Sequence, residues 1–139
     1  MEEPLARRPL KSRQTRWAAA IAGFLARIGM RPNAISLLSV VFAAAASGAL
    51  TFAAFVPGRL HLVLLLALAA ACVQLRLLCN LLDGMVAVEG GFRTKVGELY
   101  NEFPDRVADV LILTGAGAFA GPVGLWLGAL AALLAVLTA

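Results

Sequence analysis

The sequence predicts an all-α polytopic membrane bundle: an N-terminal amphipathic helix in the membrane interface, followed by four transmembrane helices. Three observations carry this. The 139-residue chain is 61% hydrophobic with a mean hydropathy of +0.88, too apolar for a soluble domain of its size. Its long uncharged runs are separated by short polar breaks. Its basic residues are uneven: seven of the twelve Lys and Arg precede Pro32, which reads as charge on the cytoplasmic side of a membrane. No aromatic and basic residues interleave, so no nucleic-acid partner is expected.

Residues 1–32 read as a cytoplasmic tail and interfacial helix, and residues 33–139 as the spans of a single domain. The first twelve residues are polar with two prolines, a frayed tail. From Arg13 to about Ile28, the side chains of Trp17, Ile21, Phe24, Leu25 and Ile28 recur at helical spacing, with Arg13, Arg16 and Arg27 supplying charge. That pattern suits a helix with its apolar side in the headgroup boundary. A soluble helix packed on a core has the same pattern, but spans follow at once, which favours the interface. The basic stretch is too long for a cleavable leader, and no small-residue cleavage site follows a short apolar core.

Pro32 suits a helix start and Asn33 a cap, so the first span is expected over Ala34–Val56, without a charge. Pro57-Gly58-Arg59 is a turn, with His61 exposed beside it. The second span runs from Leu60 to about Val88, roughly 43 Å of helix. That exceeds the hydrocarbon core, so the polar Asn80–Val88 end should project into the interface. Glu89–Val96 is a loop carrying Arg93 and Lys95. These charges either set topology or attract an anionic group. The third span is expected over Gly97–Phe119, Gly121-Pro122 turns the chain, and Val123–Ala139 is the fourth span. Basic residues at the N-terminus and at Arg93 and Lys95 put both on the cytoplasmic side of an inner, cytoplasmic membrane. The chain ends inside an apolar run without a polar anchor, so it is expected to be incomplete at its C-terminus. Cys72 and Cys79 share one helix face, cannot close a normal disulfide and read as packing residues. Gly117/Gly121 and Gly124/Gly128 have spacing compatible with close helix packing or a homodimer.

Six of the eight carboxylates fall between Asp83 and Asp109, inside otherwise apolar surroundings. Acids in such a setting are costly and point to a functional site. On a helix, Asn80, Asp83, Gly84 and Ala87 share one face, and so do Gly97, Asn101 and Asp105. Two antiparallel helices can thus present oxygen ligands to each other: the Asp83 and Asp105 carboxylates with the Asn80 and Asn101 amide oxygens. Hard divalent cations such as Mg²⁺ or Mn²⁺ take such ligands, often completed by substrate phosphates. Gly84 and Gly97 leave room for a phosphate to approach the backbone.

This stretch resembles the signature of the CDP-alcohol phosphatidyltransferase family, D-x-x-D-G-x-x-A-R, about eight residues, then G-x-x-x-D-x-x-x-D. The matching positions are Asp83, Gly84, Ala87, Gly97 and Asp105. The amphipathic helix and the Pro32-Asn33-Ala34-Ile35-Ser36 start of the first span are similar to that family too, so the resemblance covers essentially the whole chain. It implies a six-span fold, of which the last two spans are absent here. It implies a transferase of phospholipid biosynthesis, in which an acceptor alcohol displaces CMP from a CDP-linked lipid such as CDP-diacylglycerol. It further implies a two-metal site with Asp83 as a ligand and Asp105 as the base for the acceptor hydroxyl and a candidate ligand, and contacts to substrate at Gly84, Ala87 and Gly97. The partners would be the CDP-linked lipid, the alcohol and membrane lipids.

The chain departs from the pattern at three positions, where Asn80 and Asn101 replace carboxylates and Val88 replaces the arginine. A catalytically silent relative that binds a CDP-lipid is therefore a second expectation. Glu98 lies within roughly 20° of Asp105 around the helix and can restore part of the lost charge. Alternatively, Glu98 and Glu102 only favour the helix start. Arg76, seven residues before Asp83 and on its face, needs a partner inside the membrane. It pairs either with Asp83 or a substrate phosphate, as a substrate-binding residue, or with a backbone carbonyl or Asp109.

Overall fold

A computed structural model describes residues 15–91 and 95–138, with the side chains of Glu89 and residues 95–101 outside that set. Among the described residues there are five helices and no strand: α1 Arg16–Arg27, α2 Pro32–Ala53, α3 Arg59–Glu89, α4 Lys95–Phe119 and α5 Pro122–Leu137.

The breaks follow from local chemistry. Gly29, at φ +77°, ends α1 where a side chain would be strained. The Met30 amide then reaches back to the Leu25 carbonyl at 3.0 Å, a Schellman-type stop. Pro32 takes the first position of α2, so Arg31 is its cap residue and Asn33 lies exposed in the first turn, not at the cap expected for it. Arg59 and His61 likewise belong to the first turn of α3 rather than to the turn before it, and His61 is exposed as expected. Gly121, at φ +90°, reverses the chain ahead of Pro122.

The helix α2 is the centre of the bundle. It packs along α3 on one side and α4 on the other, while α3 and α4 touch each other only over a short stretch. Its buried residues explain this: Ile35, Ser36, Ser39, Ala43, Ala46, Ala49 and Ala53 are mostly small and recur every three to four positions, so neighbouring backbones can approach closely. The aliphatic and aromatic bulk points outward instead. Phe52, Phe55, Leu64, Leu68, Trp126 and Leu130 are all exposed. A core of alanine under a surface of Leu, Phe and Trp inverts the soluble pattern and suits a lipid surround.

Two helices, α2 and α3, are long and apolar enough to cross a membrane, and most of each is left uncovered by the rest of the chain. The sequence reading expected four spans. The α5 helix is a shorter apolar helix of 16 residues. The α4 helix carries its acids up to Asp109, which leaves a shorter apolar stretch after it.

The amphipathic α1 lies across α3 through its small face. Ala18 and Ala22 are fully buried against Cys79, Leu82, Met85 and Val86. Trp17, Phe24 and Ile28 remain exposed on the other side, as an interfacial helix requires. Cys72 and Cys79 are free and buried, packing residues as expected. Gly117, Gly124 and Gly128 are used within the chain: a Cβ on Gly117 would lie 2.6 Å from the Gly124 carbonyl oxygen, and one on Gly128 would lie 2.5 Å from that of Leu113. Gly121 is not part of that contact but supplies the turn.

Candidate functional site

The polar residues meet where α3 and α4 touch. Helical periodicity stacks Arg76, Asn80 and Asp83 on one face of α3, and Asp105 and Asp109 on one face of α4. Pro104 lies inside α4 immediately before Asp105 and removes one amide donor from the helix.

Arg76 is the deepest charge. Its residue exposure is 7%, and its described partners are all on α4. One guanidinium nitrogen, Nη2, donates to Asp109 Oδ1 at 2.9 Å and to the Asp105 backbone carbonyl at 3.3 Å, and lies 3.5 Å from Asp105 Oδ1. A buried guanidinium is tolerated only with such compensation. Of the alternatives open from sequence, the carbonyl and Asp109 contacts are present. Arg106 adds a weaker ion pair, 3.9 Å from Asp109 and one helical turn before it.

Asn80 donates through Nδ2 to Asp105 Oδ2. This bond joins the two halves of the sequence pattern across the helix boundary. Asp83 is nearly fully buried, at 4% exposure. Its described partners are the Ser36 hydroxyl, which donates to Oδ2 at 2.8 Å, and the backbone amide of Gly84, which donates to Oδ1. Ser36 also lies 3.2 Å from the Pro32 carbonyl, so the first turn of α2 holds Asp83 directly.

Ser36 is the residue that sequence reasoning passed over. The sequence pattern marks it only as part of the α2 start. Its signal was present: Ser36 and Ser39 are polar residues at helical spacing in an uncharged run, and both are buried. Gly84 and Ala87 are half-buried on α3, whereas Val88 is exposed. Gly97, Glu98 and Asn101 fall in the first turns of α4, but the surroundings of Gly97 and the side chains of Glu98 and Asn101 lie outside what is described, as do Arg93 and the side chain of Lys95. The structure therefore joins Arg76, Asn80, Asp105 and Asp109, and joins Asp83 to α2.

Among the described residues no three acidic, His or Cys side chains group as a metal site. The groups that converge are carboxylate, amide and guanidinium. In donor chemistry the residues still fit a hard divalent cation, because the carboxylates of Asp83 and Asp105 offer only oxygen. The Asn80 amide beside Asp105 carries an oxygen as well as its NH₂. A carboxylate has about four lone-pair sites, more than the contacts to Arg76 and Asn80 fill on Asp105.

No protein-family model, no curated protein and no solved structure matches this chain.

Proposed function

We propose that this chain is a CDP-alcohol phosphatidyltransferase-like membrane protein. In this reading it transfers a phosphatidyl or similar substituted phosphate group from a CDP-linked lipid to an alcohol and releases CMP. The observation that supports this best is the Asn80–Asp105 hydrogen bond. It brings together the two halves of a motif that sequence alone could only place on separate helices.

In this reading the four apolar helices α2–α5 span the cytoplasmic membrane, and α1 lies on its inner surface. The polar end of α3 and the start of α4 face the cytoplasm, where CDP-lipid headgroups are reached. Asp105 takes the proton of the acceptor hydroxyl as its oxygen attacks the lipid-bearing phosphorus. The bond from that phosphorus to CMP breaks, and CMP leaves with the electron pair. Asn80 and Arg76 hold the Asp105 carboxylate in position, while Ser36 holds Asp83. Gly84, Ala87 and Gly97 line the approach of the diphosphate, and the charge of Glu98 makes up in part for that lost at Asn80 and Asn101. Asp83 and Asp105, with the Asn80 and Asn101 amides, would hold Mg²⁺ or Mn²⁺. When bound, the metal neutralises diphosphate charge and polarises the phosphoryl oxygens.

A second reading is favoured by the same Arg76 contacts. Asp105 and Asp109 already have an internal counter-ion, which suits a protein that binds a CDP-lipid without turning it over. One experiment separates the two. CMP release from CDP-diacylglycerol is measured with purified protein in detergent, with Mn²⁺ or Mg²⁺, against a panel of alcohols. Metal-dependent release that is lost in Asp105→Asn supports the transferase and names the acceptor. Retained CDP-lipid binding without release supports the silent binder, and neither binding nor release removes both readings.

A further inference from the structure

The α1 helix has three faces where a surface helix usually has two. Ala18, Ala22, Leu25 and Ala26 form the face that packs on α3. Trp17, Ile21, Phe24 and Ile28 form a second face, and all four are exposed. Arg16 and Arg27 make a third and are exposed too. At about 100° per residue they lie within about 20° of each other, and about 100° from the apolar face on the side away from α3. With the apolar face toward the hydrocarbon, both guanidinium groups stand at headgroup level.

The charge on this edge is one-sided. No ion pair to Arg16, Arg27 or Arg31 occurs among the described residues. No Asp or Glu lies anywhere from residue 4 to residue 82, and residues 1–32 carry seven basic side chains against Glu2 and Glu3. Helix stability does not account for the placement. Arg16 occupies the first turn of α1 and Arg31 the cap position of α2, and neither first turn holds an acid. A cation at a helix start opposes the dipole; only Arg27, in the last turn of α1, is where the dipole favours it. A second copy of the chain would set arginine against arginine here, since α1 holds no acid to answer it. A headgroup of net negative charge does answer it, beside an apolar face that already faces the membrane.

We infer that α1 is a binding surface for anionic phospholipid. Arg16 and Arg27, about 16 Å apart along the helix, take the phosphates of two separate headgroups, and the exposed Arg31 adds to their attraction. This rests on the membrane placement of α1 in the proposed function, and not on the transfer reaction.

The test reads which lipid sits beside α1. Trp17 becomes the only tryptophan in Trp126→Phe, a change at a position 80% exposed that should leave the fold intact. The whole protein is placed in phosphatidylcholine nanodiscs that contain the same small share of either brominated phosphatidylglycerol or brominated phosphatidylcholine, and quenching of Trp17 is compared. The expected result is stronger quenching by the anionic lipid, equivalent to a preference of about fivefold or more. It should vanish in about 1 M salt, which screens charges beyond about 3 Å. The preference should fall close to one in Arg16→Gln/Arg27→Gln/Arg31→Gln and survive in Arg16→Lys/Arg27→Lys/Arg31→Lys, with helical circular dichroism retained in both. Equal quenching by the two lipids, a preference that outlasts high salt, or one unchanged in the glutamine variant overturns the inference and leaves α1 on the membrane. The salt series needs no arginine variant, so it does not depend on one folding. No quenching by either lipid removes this inference together with the membrane placement of α1: short-wavelength emission then means that protein covers the face, and long-wavelength emission means water. None of these outcomes bears on CMP release, which is measured separately.

Discussion

The two halves of α4 meet the rest of the bundle in opposite ways. In the first half, Asp105 and Asp109 receive Arg76 and Asn80 from α3, so the contact is made of charges and amide hydrogen bonds. In the second half, Gly117 lies against Gly124 and Gly128 of α5, and Gly115 lies against Ser47 of α2, so backbones touch with nothing between them. One contact is made of groups that are expensive to bury. The other is made by removing side chains altogether. Both put two helices close together, but only the first leaves chemically active groups at the contact. A structural bundle needs only the second. The polar half is better explained by function, because a buried ion pair is weak evidence for stability.

Each half can be broken separately. The largest effect should come from Asp105→Asn, which keeps a side chain able to hydrogen-bond Asn80 and Arg76 but removes the proposed base. CMP release should fall by about 10²- to 10⁴-fold with unfolding in detergent little changed; equal loss of fold and activity would make Asp105 structural. Next is Arg76→Leu, which leaves Asp105 and Asp109 facing each other without their counter-ion. Because both acids are partly exposed, the loss should sit near the low end of the range for a broken buried pair, about 3 kcal/mol, read from denaturant unfolding of the detergent-solubilised protein.

On the glycine side, Gly117→Val should force α5 away from α4 at a cost of about 1–3 kcal/mol. CMP release per folded chain should stay near wild type, since the charged half is untouched. If release collapsed while the fold survived, the two halves would be coupled. Ser36→Ala should cost about 1–2 kcal/mol by removing the buried hydrogen bond that its hydroxyl gives Asp83, and should weaken Mn²⁺ binding if Asp83 is a ligand. The smallest effect is expected from Leu130→Ala on the outer face of α5, within about 0.5 kcal/mol. A larger loss there would mean that this face packs against protein rather than lipid or detergent.

Much of this was legible before any tertiary information. Gly29, Pro32, Gly58 and Gly121 mark the helix breaks through backbone chemistry that acts over a few residues, and the structure breaks within a few positions of each. The shared face of Asn80 and Asp83 follows from helical geometry alone. The number of spans was less legible. Hydropathy along α4 and α5 suggests crossing, whereas length and composition together single out α2 and α3.

Composition and period thus determined an all-helical chain, its apolar character, the apolar stripe of α1, and the clustering of acids at one end of α3 and α4. These are properties of one helix at a time, and a repeat of 3.6 residues encodes them. Only the tertiary structure decided that α2 lies between α3 and α4, that Ser36 holds Asp83, and that Arg76 turns to α4. Those choices depend on how closely two helices approach and at what rotation. That is set by which small residues line the contact and by where a buried charge finds a partner, neither of which is a periodic property of the chain.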